Sequence, residues 1–203
     1  LSSSLDGPED LHNRNRPRPG KDSYSRFVDG LQKARDKLGY DSVSALMTTS
    51  PASLTRVRDI IDEYLKHDLD GIFLRHLSPY GFAIKTKSYE AYNVDRWLEF
   101  YREGLDYIVE LNKQGVRFTE HFASLLLTKM FTSSDPGFVD LMNPSGAGIS
   151  AVVFNYDGDV YASDESRMLR EMGDTTFKIG NLHTNSYEEI FTSEALLNAL
   201  DDS

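Results

Sequence analysis

The chain has no cysteine among its 203 residues. That excludes disulfides, and it excludes zinc or an iron–sulfur cluster held through thiolates of this chain. Clustered positive charge is also missing. Lys and Arg number 22 against 32 Asp and Glu, a formal net charge of −10. Neither nucleic acid nor an anionic membrane is therefore an expected partner, because attraction to phosphate needs grouped cations. The most basic stretch, Arg14–Lys21, is short and is broken by Pro17, Pro19 and Gly20. No apolar run approaches a membrane span, and the first residues lack the charged-then-apolar pattern of an export signal. A cytoplasmic location is the corresponding expectation. The HExxH, GxxxxGK[ST] and GxSxG signatures are absent. Gly146-Ala147-Gly148 lacks the third glycine of a dinucleotide fingerprint, and the histidines at 12, 67, 76, 121 and 183 do not pair at metal-ligand spacing.

What is present suits a packed interior. Hydrophobic residues make up 39% and aromatics 11%, enough for one core, or for a small domain with a satellite. Leu1–Ser4 reads as the end of a strand, stopped by Asp6-Gly7-Pro8. Residues 9–22 read as loop, because the prolines and Gly20 forbid a long helix. Ser23–Leu38 repeats Phe27, Leu31, Ala34 and Leu38 at helical spacing. Ser42–Thr48 is a strand, Ser53 caps a helix to about His67, and Gly71–Leu77 is another strand. Helices between apolar strands imply parallel crossovers. A loop follows over 78–92, then a long helix from Asn93 to Lys113 and another opened by Thr119. Residues 133–148 are loop. The texture then changes: residues 150–163 form a β-hairpin about Tyr156-Asp157-Gly158, and Ser186 to Glu189 is a capping box opening a last helix over 186–200. The boundary divides 1–135 from 136–203.

Taken together, these pieces resemble a known family. Ser4-Leu5-Asp6-Gly7-Pro8, followed by His12 and Arg16, resembles the S-[IL]-D-G-P-x-x-x-H-x-x-x-R segment of radical S-adenosylmethionine (SAM) peptide maturases, where it ends the fourth strand of a partial (β/α)6 barrel. SVSALMT and GIFLRHL then match the fifth and sixth strands. The hairpin FNYDGDVYASDE and the following IGNLHTNSYEEIF resemble the start of the SPASM or twitch extension. The run from Tyr161 to Leu169 is similar to the maturase of the His-Xaa-Ser peptide system. The resemblance implies an α/β fold: the second half of a partial (β/α)6 barrel, then a hairpin-plus-helix twitch region. It also implies that the chain is a fragment, inactive alone, of an enzyme whose C-x-x-x-C-x-x-C loop lies upstream. Ser163 stands where SPASM proteins carry a cluster cysteine, and Ser145 in the place of another; a hydroxyl is a poor substitute for a thiolate ligand.

The family reduces a [4Fe–4S] cluster, cleaves SAM and uses the 5'-deoxyadenosyl radical to modify a peptide or protein. The resemblance implies that Ser4, Asp6 and Arg16 bind SAM, that His12, Thr48 and Arg75 border the substrate pocket, and that Asp164 is a proton-accepting base. A plain surface turn, a solvated arginine and a helix-starting aspartate are the structural alternatives. Side chains alternate along the strand ending at Arg75, which puts Arg75 on the face of Phe73 and Leu77, opposite the helices. The implied partners are a substrate peptide, with a His-Xaa-Ser repeat peptide as one form, and a partner maturase. An exposed strand edge could also pair two copies. The rival reading from a different class is a standalone, metal-free peptide-binding module.

Overall fold

Three serines stand between Leu1 and Leu5, and Gly7-Pro8 ends the extended run. The strand this yields is short: β1 (Ser2–Ser4). The computed structural model describes residues 1–77, 92–138, 141 and 146–201. Tyr89, one of an aromatic group with Tyr92, Trp97, Phe100 and Tyr101, and Ser145 lie outside the described residues. The described residues fall into two compact units, one of 1–77 with 92–133 and one of those from 134 onward.

In the first unit β1 leads through α1 (Glu9–Asn15) and α2 (Ser23–Leu38) to β2 (Ser44–Leu46), which pairs with β1 in parallel, Ser4 opposite Leu46. Then α3 (Val57–Lys66) leads to β3 (Gly71–Ile72). After α4 (Val94–Lys113), β4 (Thr119–Glu120) pairs with β3 in parallel and runs into α5 (His121–Phe131). The strand–helix alternation and the parallel β1–β2 pairing are those the sequence implies, but the strands SVSALMT and GIFLRHL do not pair with each other: the described strands of this unit form two separate two-stranded sheets. Each strand is shorter than its apolar run.

Several details differ from the sequence reading. Residues 9–22 are not all loop. Pro8 precedes α1 and Pro17 follows it, with Glu9 and Asp10 in the first turn, so proline frames a short helix there and does not forbid one. Ser53 does not cap α3. Its hydroxyl accepts from the Ser50 amide at 3.1 Å and closes a turn before the helix. Thr119 does not open α5 either; it lies in β4, and the Glu120 carboxylate caps the helix instead.

The core gathers Leu5, Ala45, Met47, Ile72 and Leu74 from the strands and their ends. It adds Phe27, Leu31, Ile60, Ile61, Tyr64, Phe100 and Ile108 from α2, α3 and α4. Gly104 lets α4 approach closely: a Cβ there would stand 2.6 Å from Val57 Cγ2 and 2.7 Å from Leu74 Cδ1. A second polar tie, between α2 and α3, joins the Tyr24 hydroxyl and the buried Glu63 carboxylate with Lys66 Nζ and His67 Nε2.

The second unit is a three-stranded antiparallel sheet in the order β5 (Val153–Phe154), β6 (Asp159–Tyr161), β7 (Lys178–Asn181). The hairpin turn forms where Asp-Gly places it. The Asn155 amide donates to the Asp159 carbonyl at 2.8 Å, the Gly158 amide to the Asn155 carbonyl at 3.0 Å, and Gly158 has φ 84°. The sequence reading lacks β7 and also α6 (Asp164–Glu171). The last helix is two helices, α7 (Tyr187–Phe191) and α8 (Glu194–Asp201), rather than one over 186–200. Ser186 and Glu189 form the expected capping box on α7. Val160, Ala162, Ile179, Ile190 and Leu196 make a separate small core.

Glu120 ties the first unit together. Its buried carboxylate accepts from the Leu74 amide at 3.0 Å, the Tyr101 hydroxyl at 2.8 Å and the Ala123 amide at 2.6 Å. Replacing it with alanine leaves three donors without their acceptor, one of them fully buried. Glu120→Ala should lower the unfolding free energy by about 3 kcal/mol, and Glu120→Gln by less, since one acceptor remains. Urea denaturation of the variants measures the difference.

Candidate functional site

The paired strands β1 and β2 expose one face. Leu5, Ala45 and Met47 turn into the core, while Ser4, Leu46 and Thr48 do not. Asp6 follows Ser4 on the same side by alternation, and at 1% exposure it is nonetheless enclosed. Arg16, at the end of α1, encloses it: Nε lies 2.8 Å from Asp6 Oδ2, and Nη2 lies 3.1 Å from Oδ1. Asp6 Oδ1 also accepts from the Thr48 amide at 2.9 Å, and Arg16 Nη2 reaches the Thr48 hydroxyl at 3.2 Å. Both carboxylate oxygens are thus satisfied within the chain. The arginine side chain remains 36% exposed, and its Nη1 has no partner among the described residues.

His12 belongs to the same cluster, but it does not border a pocket as the resemblance implies. It is buried, and its Nδ1 accepts from the Asp6 amide at 3.2 Å. The opposite side of the imidazole contacts the Ser23 backbone, and the rings of Tyr24 and Phe27 lie 6.1 Å away. His12 is therefore a strut under the Asp6-Gly7 turn. Four of the predicted residues, Asp6, His12, Arg16 and Thr48, meet in one hydrogen-bonded group. Ser4 sits two residues before Asp6 at the end of β1, half-buried.

Three participants escaped the sequence reading. The buried Thr49 hydroxyl donates to the Arg75 carbonyl and links the ends of β2 and β3. The Tyr64 hydroxyl donates to the Leu5 carbonyl at 2.8 Å. Asn15 Oδ1 accepts from the Ser50 hydroxyl at 2.9 Å. The run Thr48-Thr49-Ser50 directly after an apolar strand was the available signal. Arg75 itself is exposed, with its guanidinium carbon 5.2 Å from the Phe73 ring centre, while Ile72 and Leu74 pack into the core.

Asp164 lies in the second unit. It is exposed, starts α6 immediately after the capping Ser163, and pairs with Arg167 at 2.9 Å. A carboxylate in a first helical turn is favoured there by the helix dipole, so the aspartate has a local structural role. Among the described residues no group of His, Asp and Glu has the arrangement of a metal site.

Burial holds the His12 pKa below the ordinary imidazole value of 6.5; the Arg16 charge acts in the same direction and the Asp6 carboxylate opposes them. The unfolded chain then takes up this proton at a higher pH than the folded one. The stability contributed by neutral His12 is complete above pH 6.5 and is lost as pH falls below that value. His12→Gln keeps an acceptor for the Asp6 amide and has no proton to bind. Urea midpoints at pH 7.5 and 5.5 should fall more for the parent than for His12→Gln.

No protein-family model matches this chain, and no characterised protein matches it by sequence. Solved structures do match. Native anSMEcpe with bound AdoMet and the Cp18Cys peptide superposes with a TM-score of 0.63 at 18% identity, over 97% of this chain and 52% of that one. Native anSMEcpe with bound AdoMet and the Kp18Cys peptide gives 0.60 at 18% identity, over 98% and 52%. Histidine-tagged anSMEcpe with bound AdoMet gives 0.60 at 17% identity, over 97% and 51%. The chain spans about half the length of these structures. Over that half it has the fold of these structures.

Proposed function

We propose that the chain is part of a radical SAM peptide maturase, carrying the later strands of its partial barrel and the opening of a twitch-like auxiliary region. The carrying observation is the Arg16 guanidinium. Asp6 holds it at the carboxyl ends of two parallel strands, where α/β sites form, and one of its nitrogens has no partner among the described residues. A [4Fe–4S] cluster finds no ligand in a cysteine-free chain. Its ligands therefore belong elsewhere in the parent protein.

SAM fits the residues present. Arg16 Nη1 suits a carboxylate, since the planar fork stays aligned through its bonds to Asp6 while the free nitrogen reaches outward. The Ser4 hydroxyl offers a neutral directional contact on the same face. Thr48 takes part through the hydroxyl that Arg16 already touches. With both oxygens engaged, Asp6 orients Arg16 rather than touching the ligand. When bound, SAM supplies hydrogen-atom abstraction from the substrate, and the protein's share is to place and shield it. The substrate class is a peptide or protein, in keeping with the peptide-bound state of the similar structures. The Tyr161–Leu169 run favours the His-Xaa-Ser kind. Arg75, beside Phe73, serves as a border of the substrate site, and Asp164 as the base that takes a substrate proton.

The reading is tested on the full-length parent, anaerobically reconstituted with iron and sulfide. It should make 5'-deoxyadenosine from SAM, while the 203-residue chain alone makes none; a parent that forms no 5'-deoxyadenosine ends the proposal. Arg16→Lys should raise the SAM dissociation constant about tenfold in equilibrium binding, because an ammonium cannot serve Asp6 and a ligand through one rigid fork. Asp164→Asn keeps a first-turn polar group on α6. It should abolish modified peptide by mass spectrometry while 5'-deoxyadenosine formation stays within about twofold.

A further inference from the structure

The register of the hairpin decides which backbone groups of β5 point outward. Asn155 faces Asp159 through a backbone hydrogen bond, and Phe154 is the next residue, opposite Val160. The N–H and C=O of Phe154, and of Val152 two residues earlier, therefore point away from β6. By the same alternation Ala151 faces the β6 side, and its carbonyl accepts from the Gly148 amide at 2.9 Å while that amide also reaches the Ala162 carbonyl at 2.7 Å, so this contact leaves the outward edge uncovered. From Val152 onward the edge has no strand partner among the described residues. It also lacks the usual protection of edge strands: residues 146–156 (GAGISAVVFNY) contain no charge and no proline. Phe154 is 56% exposed, Tyr156 89% and Ile149 76%.

Charge indicates what covers such an edge. Residues 134–203 hold 13 of the 32 acidic side chains and 3 of the 22 basic ones. The whole net charge of −10 therefore sits in this part, and residues 1–133 are neutral. The three bases are already committed, Arg167 to Asp164, Arg170 to Asp157 and Lys178 to Asp159. Glu165, Asp174, Glu188, Glu194 and Asp201 have no cation among the described residues. A second copy laid edge to edge would bring two such fields together, which like-charge repulsion opposes. A cationic guest is drawn by the same field.

We infer that the free edge of β5 is a docking strand for an extended, basic peptide segment. The guest adds as a further strand on the Val152 and Phe154 backbone groups. Its alternate residues pack along Phe154, and its Lys or Arg side chains meet the acidic surround. The inference goes beyond the maturase reading and needs neither SAM nor iron, so each can fail without the other.

The test titrates the 203-residue chain against a fluorescent decapeptide of alternating Val and Lys, and against its Val and Glu counterpart. The basic peptide should bind about tenfold or more tightly than the acidic one, and raising salt from roughly 0.05 to 0.5 M should weaken it. Phe154→Pro removes an outward N–H at an edge position where proline is tolerated, and Phe154→Lys places a like charge on an exposed site without altering the backbone. Each should weaken binding about tenfold. Absence of binding, equal affinity for both peptides, or affinity unchanged in both variants overturns the inference. So does a dimer in sedimentation equilibrium that Phe154→Lys dissociates, which would assign the edge to a second copy.

Discussion

The Asp6 carboxylate accepts hydrogen bonds from Arg16 on both oxygens and from the Thr48 amide on one, inside a site its neighbours close to solvent. A buried carboxylate is tolerated only when its charge and lone pairs are met. Arg16, a third exposed, supplies the charge, and the rest of the contact is geometric. One anion fixes the end of β1, the second residue after β2 and the end of α1 relative to one another. The energy of the ion pair is moderated by solvent around the guanidinium. Its larger effect is to immobilise a long side chain in one orientation.

The same device recurs along the rim. The parallel ladders are three and two residues long, so backbone pairing alone offers few bonds. Side chains that bond to backbone at the carboxyl ends take over. Asp6 meets the Thr48 amide and joins β1 to β2. Thr49 meets the Arg75 carbonyl and joins β2 to β3. Glu120 meets the Leu74 amide and joins β3 to β4. The four strands are stitched in chain order at the end where a ligand would bind, and that end is ordered by groups whose placement a ligand would sense. Behind it, the apolar faces of α2, α3 and α4 supply the bulk of burial without distinguishing one rim geometry from another.

Much of this was legible in the residues. The amphipathic periods of α2, α3 and α4, the Asp-Gly hairpin and the capping box of α7 are local signals, and local physics realises them. The misses share a cause. β4 is two residues long and takes its conformation from β3, so Thr119 reads as a helix start until its partner is known. β7, with Lys178 and Asn181 at its ends and Gly180 inside, has no alternation to read; the Lys178–Asp159 pair and Asn181 Nδ2, 2.7 Å from Asp159 Oδ1, help hold it against β6. Proline at 17 reads as a breaker, yet α1 ends only at Asn15, one residue short of Arg16-Pro17. The Ser4 to Arg16 spacing singles out Asp6, His12 and Arg16, which do meet. It cannot tell that His12 lies beneath the turn, because Tyr24 and Phe27, which enclose it, come from the next helix.

The Ser4 to Pro8 motif has a structural account at nearly every position. Leu5 is core, and its carbonyl receives Tyr64. Asp6 is the stitch. Gly7 has φ 128°, and a Cβ there would stand 2.9 Å from Ile60 Cγ1 and 3.1 Å from Leu11 Cδ2, so no larger residue fits. Pro8 sets the entry to α1. His12 braces the turn from below. If folding were the whole reason for the pattern, the remaining groups would also be spent inside the chain. Two are not: the Ser4 hydroxyl, for which the described residues provide no partner, and the free nitrogen of Arg16. Both lie at the carboxyl ends of parallel strands, one a small neutral donor and the other a cation locked in place by a buried anion. The buried anion thus spends two of the guanidinium nitrogens of Arg16 on the fold and leaves the third, with the Ser4 hydroxyl, without a partner among the described residues.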